Sequence, residues 1–372
     1  MRKFYLVAAV LTVWLLPKSA VHAGLYHPGL PGPNPEISPQ GVKPLPAPLF
    51  RRDVLEDMLR IGNPQPSEVR SKMIKARDEL LVKARSGSLT EEDKVNLSGY
   101  LVRLRQYQEA IDLLTPVATR ECRNFMVFAN LATAEQQAGQ LERAVSHLEQ
   151  AQDVWPSEWP GLTREQLRCF RQAEKYHLLL VRHRWAQARQ SATSQLSLDP
   201  LFVKDGRPVR YVGDSGQYEA GKIAASERAK LPPDAVAIVQ RLLIWLPDDT
   251  LLYWQYGELL SAEGDVTSAA QVFDDCAWRR RLDAPEFRTH RQIVTEAARD
   301  RSQESVLAPE ESNNAPVSGS SWLPDRNKLW VAGTTFALIV IVLIYFQVRE
   351  IRRRRNLSNR TGGNRENREY RL

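Results

Sequence analysis

Four residues near the middle of the chain could do chemistry. Gly213, Asp214, Ser215 and Gly216 spell the tetrapeptide that surrounds a nucleophilic serine in one class of proteases. Such a nucleophile needs a histidine to take its proton and an acid to orient that histidine. The protease pattern continues with Gly and Pro, whereas Gln217 and Tyr218 follow here. No Ala-His-Cys segment supplies the base. Gly, Asp and Ser are also the ordinary composition of a turn. The expected reading is a turn that starts a helix at Gly216, with Asp214 or Ser215 as its N-cap.

The other constellations are thinner. His177 and His183 are six residues apart, so on one helix they point in different directions, and no HExxH is present. The acid pairs Glu91-Glu92, Asp248-Asp249 and Asp274-Asp275 are sequence neighbours, which do not face each other on a helix. Asp248-Asp249 follows Pro247 and reads as a helix start, where acids favour the dipole. Neither GxxxxGK[ST] nor GxGxxG occurs. No catalytic residue, metal or cofactor is expected, and the chain is not read as an enzyme.

The elements that would carry any site are set by topology. Residues 1–23 have Arg2 and Lys3, an apolar run and VHA before Gly24, the layout of a signal peptide. Residues 329–348 carry no charge for 20 residues, enough helix to cross a bilayer. Trp330 and Tyr345 sit near the ends of that run, and Arg349 and Arg352 to Arg355 follow it. The expectation is a single-pass membrane protein, with its N-terminal domain exported and residues 349–372 as a cytoplasmic tail. The compact signal and the lack of a cysteine framework favour a bacterial cytoplasmic membrane, with the domain in the periplasm. Formal net charge is +7, but nine arginines against three glutamates in the tail and three basic residues in the leader leave about −2 for the rest. The basic balance therefore belongs to topology and not to a nucleic-acid surface. Cys122, Cys169 and Cys276 match no metal spacing; one disulfide with a free thiol and three thiols both remain open.

Residues 24–49 are dense in proline and read as a spacer or a strap over the domain. Residues 302–328 have the Ser, Asn, Pro and Glu bias of a flexible stalk. Between them the pattern is helical throughout. Thr90 with Asp93 predicts an N-cap of the capping-box kind.

Within 91–283 the pattern repeats. Ala110 and Ala144 are 34 residues apart, as are Leu97 and Leu131, and Leu114 and Leu148. Gly139, Ala144, Leu148, Ala151 and Pro156 recur in phase as Gly264, Ala269 and Phe273, with Ala235 and Pro247 one period earlier. This pattern resembles the tetratricopeptide repeat family. The resemblance implies an all-α fold, a solenoid of helical hairpins at about 91–124, 125–158, 163–202, 216–249 and 250–283, separate from the transmembrane helix. Trp185, Ala188 and Pro200 mark the third unit, whose first helix is expected to be lengthened. Residues 50–90 would hold a helical segment with a degenerate repeat, and 284–301 a capping helix.

In such arrays the first helix of each unit lines a concave face. Carried over, the partner-binding candidates are Asn96, Arg103, Met126, Asn130, Thr133, Gln137, Trp254, Gln255 and Glu258. The family's carboxylate clamp is missing, because Val95 and Gly99 occupy its positions. The expected function is a membrane-anchored scaffold that binds a protein or peptide partner. A passive spacer of an envelope complex is the alternative, and an enzyme with its site at 203–216 the third reading.

Overall fold

The computed structural model describes residues 37–38, 41–160, 162–190 and 196–307. The expected leader, the first part of the proline-rich segment, the apolar run 329–348 and the basic tail lie outside the described residues. In chain order the helices begin with α1, a continuous run of Ala47–Leu49, a π-helical Phe50–Leu55 and Glu56–Gly62. Next come α2 (Glu68–Arg85), α3 (Glu91–Arg103), α4 (Tyr107–Leu114), α5 (Phe125–Gln137), α6 (Leu141–Asp153) and α7 (Arg164–Arg189). Then follow α8 (Ala225–Arg228), α9 (Ala235–Trp245), α10 (Thr250–Ala262), α11 (Val266–Asp274) with a π-helical Asp275–Arg279, and α12 (Pro285–Leu307). Strands are confined to two short hairpins, β1 (Ile37–Ser38) with β2 (Gly41–Val42) and β3 (Val203–Lys204) with β4 (Arg207–Pro208). The described part is therefore mostly helical, as the periodicity predicts. Among the described residues no helix is long and apolar enough to cross a membrane.

Three hairpins share one turn. From Glu91 to Tyr107, Phe125 to Leu141 and Thr250 to Val266, the second helix starts 16 residues after the first. Each first helix ends in a left-handed residue: Arg105 (φ 63°), Gly139 (φ 78°) and Gly264 (φ 89°). The amides after them, of Gln106, Gln140 and Asp265, reach back to the carbonyls of Leu101, Glu135 and Leu260 at 2.8, 2.8 and 2.9 Å. That six-to-one bond satisfies helix-end carbonyls and turns the chain back. Arg105 adopts the backbone geometry that costs a glycine nothing, at about 1 kcal/mol.

Caps set the helix starts. Thr90 accepts from the Asp93 amide at 3.1 Å and Asp93 accepts from the Thr90 amide at 3.2 Å, the expected reciprocal box. Thr163 and Gln166 repeat it on α7. Asp249 accepts from the Leu252 amide at 3.0 Å, so that acid caps α10 as its position suggests.

Small side chains let helices touch. Ala110, Ala144 and Ala269 have no exposed surface. A Cβ on Gly257 of α10 would lie 3.0 Å from the Phe273 ring and 3.1 Å from Val272 of α11. Asn130 of α5, fully buried, donates to the Val95 carbonyl and Ser98 hydroxyl of α3 at 3.0 Å each, tying one hairpin to the next.

Two expected hairpins take another form. Residues 163–202 hold the single long helix α7, with no second helix described after it. In 216–249 the first helix is missing, since residues 211–224 are irregular and only α8 and α9 follow. The small residue Ala235 and the stop Pro247 belong to α9 alone, so their phase carries no information about a partner helix. Helix α12 also runs on to Leu307, into the first residues assigned to the stalk.

The N-terminal segment is a strap that returns to the end of the domain. The Leu45 amide donates to Gln240 Oε1 at 2.9 Å and Gln240 Nε2 donates to the Leu45 carbonyl at 2.8 Å. Arg51 of α1 pairs with Asp275 at 2.9 Å, and Arg279 pairs with Glu56 at 3.0 Å. Phe50, Val54 and Leu55 join the core of α9 to α12, while Met58 and Ile61 join Met73, Tyr100 and Leu104. A further core fills α3 to α7. All three cysteines are free thiols, and burial pushes Cys276 up to about 12.

Candidate functional site

Between α7 and α8 the chain leaves helical structure and builds a cleft. The 203–208 hairpin turns on Asp205 and Gly206, both with positive φ, the pair a type I′ turn requires. Its flank is anchored inward. Leu201 and Phe202 are buried, and the Phe202 ring meets Tyr176 of α7 edge-on at 5.3 Å. Asp199 accepts from Arg184 at 2.7 Å, and the same guanidinium bonds Asp249, the cap of α10. Burial opposes that charge, but the two carboxylates outweigh it and raise the Arg184 pKa further.

The GDSG segment is a turn within this insertion. The Gly213 amide donates to the Gln217 carbonyl at 2.8 Å, and Gly216, at φ 78°, donates to the Gly213 carbonyl at 3.0 Å. No helix starts there, so Asp214 and Ser215 cap nothing. Ser215 Oγ donates to Glu219 Oε1 at 2.6 Å. That acid folds over Gly213, where a Cβ would sit 2.4 Å from the same oxygen. The hydroxyl thus organises a turn.

Beyond the turn, Tyr218 stacks on His290 of α12 with ring centroids 3.7 Å apart. His290 Nδ1 lies 2.8 Å from Glu258 Oε1 of α10, to which the Trp254 indole also donates at 2.6 Å. Burial and the Glu258 charge hold the Tyr218 phenol well above its ordinary range. Gln255 Nε2 donates to the Tyr211 hydroxyl at 3.4 Å. Gln255 Oε1 is buried and accepts from no described residue. Together Tyr211, Gln217, Tyr218, Gln255, Thr289 and His290 line part of a cleft of about 450 Å³.

Glu227 of α8 closes the back of the insertion. It is 3% exposed and accepts from the Arg210 amide at 2.9 Å and from Lys230 at 2.7 Å. Burial works against its charge, yet these donors outweigh burial and hold the carboxyl below its ordinary 4.5. A depressed carboxylate stabilises fully above its unfolded pKa, and this contribution is lost as pH falls through the folded value. Hydrogen exchange of residues 203–218 is therefore expected to stay slow at pH 5 to 7 and to accelerate as the pH drops below about 4.5. Glu227→Gln should flatten that acid dependence; an unchanged profile would remove Glu227 from the cause.

Most residues expected to line a concave face are turned inward. Arg103, Met126, Asn130, Thr133, Trp254, Gln255 and Glu258 are buried, and Asn96 and Gln137 are half-buried. Asn130 is occupied by α3, and α12 covers Trp254, whose ring meets Phe287 at 5.5 Å. Only Gln255 of this set reaches the cleft. The sequence reading missed Tyr211, Tyr218 and His290, which lie far apart in the chain. It also missed that His147 meets Glu135 at 2.6 Å and His177 meets Glu174 at 3.4 Å, pairs made across or along helices. Among the described residues, no group of three His, Cys, Asp or Glu side chains comes together to hold a metal ion.

No family model, no curated protein and no solved structure matches the chain.

Proposed function

We propose that this chain is a membrane-anchored interaction protein whose exported helical domain takes an extended segment of a protein partner into the cleft beside the 196–218 insertion. The anchor is the uncharged run 329–348 with its arginine-rich exit. The helical scaffold is tetratricopeptide-like, a reading supported by three hairpins with the same 16-residue offset and the same left-handed turn. One observation carries the binding reading. Gln255 Oε1 is a buried acceptor with no donor among the described residues, at the wall of a cleft rimmed by tyrosine and histidine rings. A buried acceptor left unsatisfied costs about 1–3 kcal/mol, which a peptide N–H entering the cleft would recover. Apolar ring faces and a few fixed polar groups are what an extended peptide requires.

The test is site-specific photocrosslinking in native membranes. A photoreactive residue at exposed Gln217 or Thr289 is expected to give one discrete protein adduct. The same residue at exposed Gln108 on α4 should give none, and Gln255→Leu should abolish the adduct at Thr289. Absence of adducts at every position would favour the passive spacer, and equal labelling at Gln108 would sink the cleft.

A further inference from the structure

A second site lies where α1, α3 and the α9–α10 turn meet. Arg103, near the end of α3, is 5% exposed. Its Nη1 donates to the Ile244 carbonyl, one of the orphan carbonyls at the end of α9. Its Nε and Nη2 are buried and have no partner among the described residues. No carboxylate faces this guanidinium. The nearest acid in the cavity wall, Asp248, is already paired with Arg105 at 2.7 Å and is half-exposed. Arg105 in turn lies so close to α1 that a Cβ on Gly62 would be 2.9 Å from its Nε. The acid has little freedom to serve both arginines.

Burial alone pulls Arg103 down to about 9, so the group keeps its proton at neutral pH. A charge buried without a counter-ion is costly, and proteins that keep one pair it or bind an ion. Arg103 lines a cavity of about 20 Å³, with the Tyr107 hydroxyl and the Gln137 amide in the same wall. Both can donate hydrogen bonds. The wall is thus rich in donors. Its volume is close to what one or two water-sized particles need and too small for a peptide carboxylate with its chain.

We propose that this cavity is a binding site for a small inorganic anion, chloride in the first instance, held by Arg103 with Tyr107 and Gln137 as flanking donors. The anion supplies the counter-charge that Arg103 lacks and locks α3 to the end of α9. The site is independent of the cleft reading, because none of its residues lines that cleft.

The experiment uses the full-length protein in detergent. Its melting temperature is measured in sodium chloride and in sodium gluconate at matched ionic strength. Binding to the folded state alone raises stability in proportion to the logarithm of occupancy. The expected result is a saturable rise with chloride that gluconate does not give and that Arg103→Met abolishes. Crystals of the unmodified protein grown with bromide should show one anomalous peak beside Arg103. That measurement decides the matter if the variant does not fold. Equal melting in the two salts, a chloride effect that survives in Arg103→Met, or a cavity that holds water only would each overturn the proposal.

Discussion

Replacing Arg184 by alanine is expected to cost the folded state about 3–5 kcal/mol, a large part of a typical domain's stability. The reason is the position of two acids. Asp199 is 4% exposed and receives Arg184 Nη2 at 2.7 Å. Asp249 caps α10 and receives the same nitrogen at 3.0 Å. Removing the guanidinium leaves two carboxylates without their cation in a poorly solvated wall. An exposed ion pair would be worth only about 0–1 kcal/mol, so the magnitude distinguishes the two cases. Urea unfolding followed by circular dichroism measures it. A loss below about 1 kcal/mol would show that the bridge behaves as a surface pair. Because Asp199 precedes the buried Leu201 and Phe202, the variant should also expose residues 196–212 to protease before the helices unfold. Arg184→Lys is expected to recover only part of the loss, since one ammonium lacks the fork that spans both acids.

Trp254→Ala should cost about 4 kcal/mol. The indole has no exposed surface and packs edge-on against Phe287 at 5.5 Å. Its N–H also donates to the fully buried Glu258, whose other contact of this kind is His290. Trp254→Phe keeps most of the ring and drops only the donor. It is expected to cost about 1–3 kcal/mol, the penalty for leaving a buried acceptor short of a partner. The two values separate packing from hydrogen bonding at one position. If phenylalanine costs nothing, the indole–Glu258 bond contributes nothing to stability. If it costs as much as alanine, the cavity contributes nothing. In either variant the His290 ring should lose its fixed orientation against Tyr218, which the imidazole proton shifts in NMR would report.

Helix positions, caps and turns were readable because each is a local interaction. Thr90 with Asp93 and Asp249 with Leu252 need only three residues of context. Gly139 and Gly264 mark two of the turns, and Arg105 hides the third because its residue type gives no hint of a positive φ. The alanine phase was reliable only where both helices of a hairpin exist. At 216–224 Gly216 and Ala235 keep the period without a first helix, since a buried alanine on α9 fits any close neighbour. The cleft was less readable still. Gln255 was singled out as a helix-surface residue, but the rings that meet it come from an irregular insertion and from α12. Nothing in a repeat period states which later helix will cover Trp254 or where Glu258 will find an imidazole 32 residues on. Such partners follow from tertiary docking, which hydrophobic patterning leaves open.

The seating of α1 bears on the order in which the protein can be made. Arg51 is held by Asp275, 224 residues later, and the Phe50 ring meets Tyr256 at 5.3 Å. At ordinary ribosome speeds that stretch takes on the order of 10–45 s to synthesise. For that interval Phe50, Val54 and Leu55 form an apolar helix without its seat. A stack of hairpins can grow from its first unit as the chain emerges. Here the first helix has to wait for the last ones, so the late hairpin α10–α11 acts as a latch on the earliest segment. A chain that stops short of residue 275 leaves that segment open, and the newly made protein needs a chaperone, or speed, to keep it from the wrong neighbour.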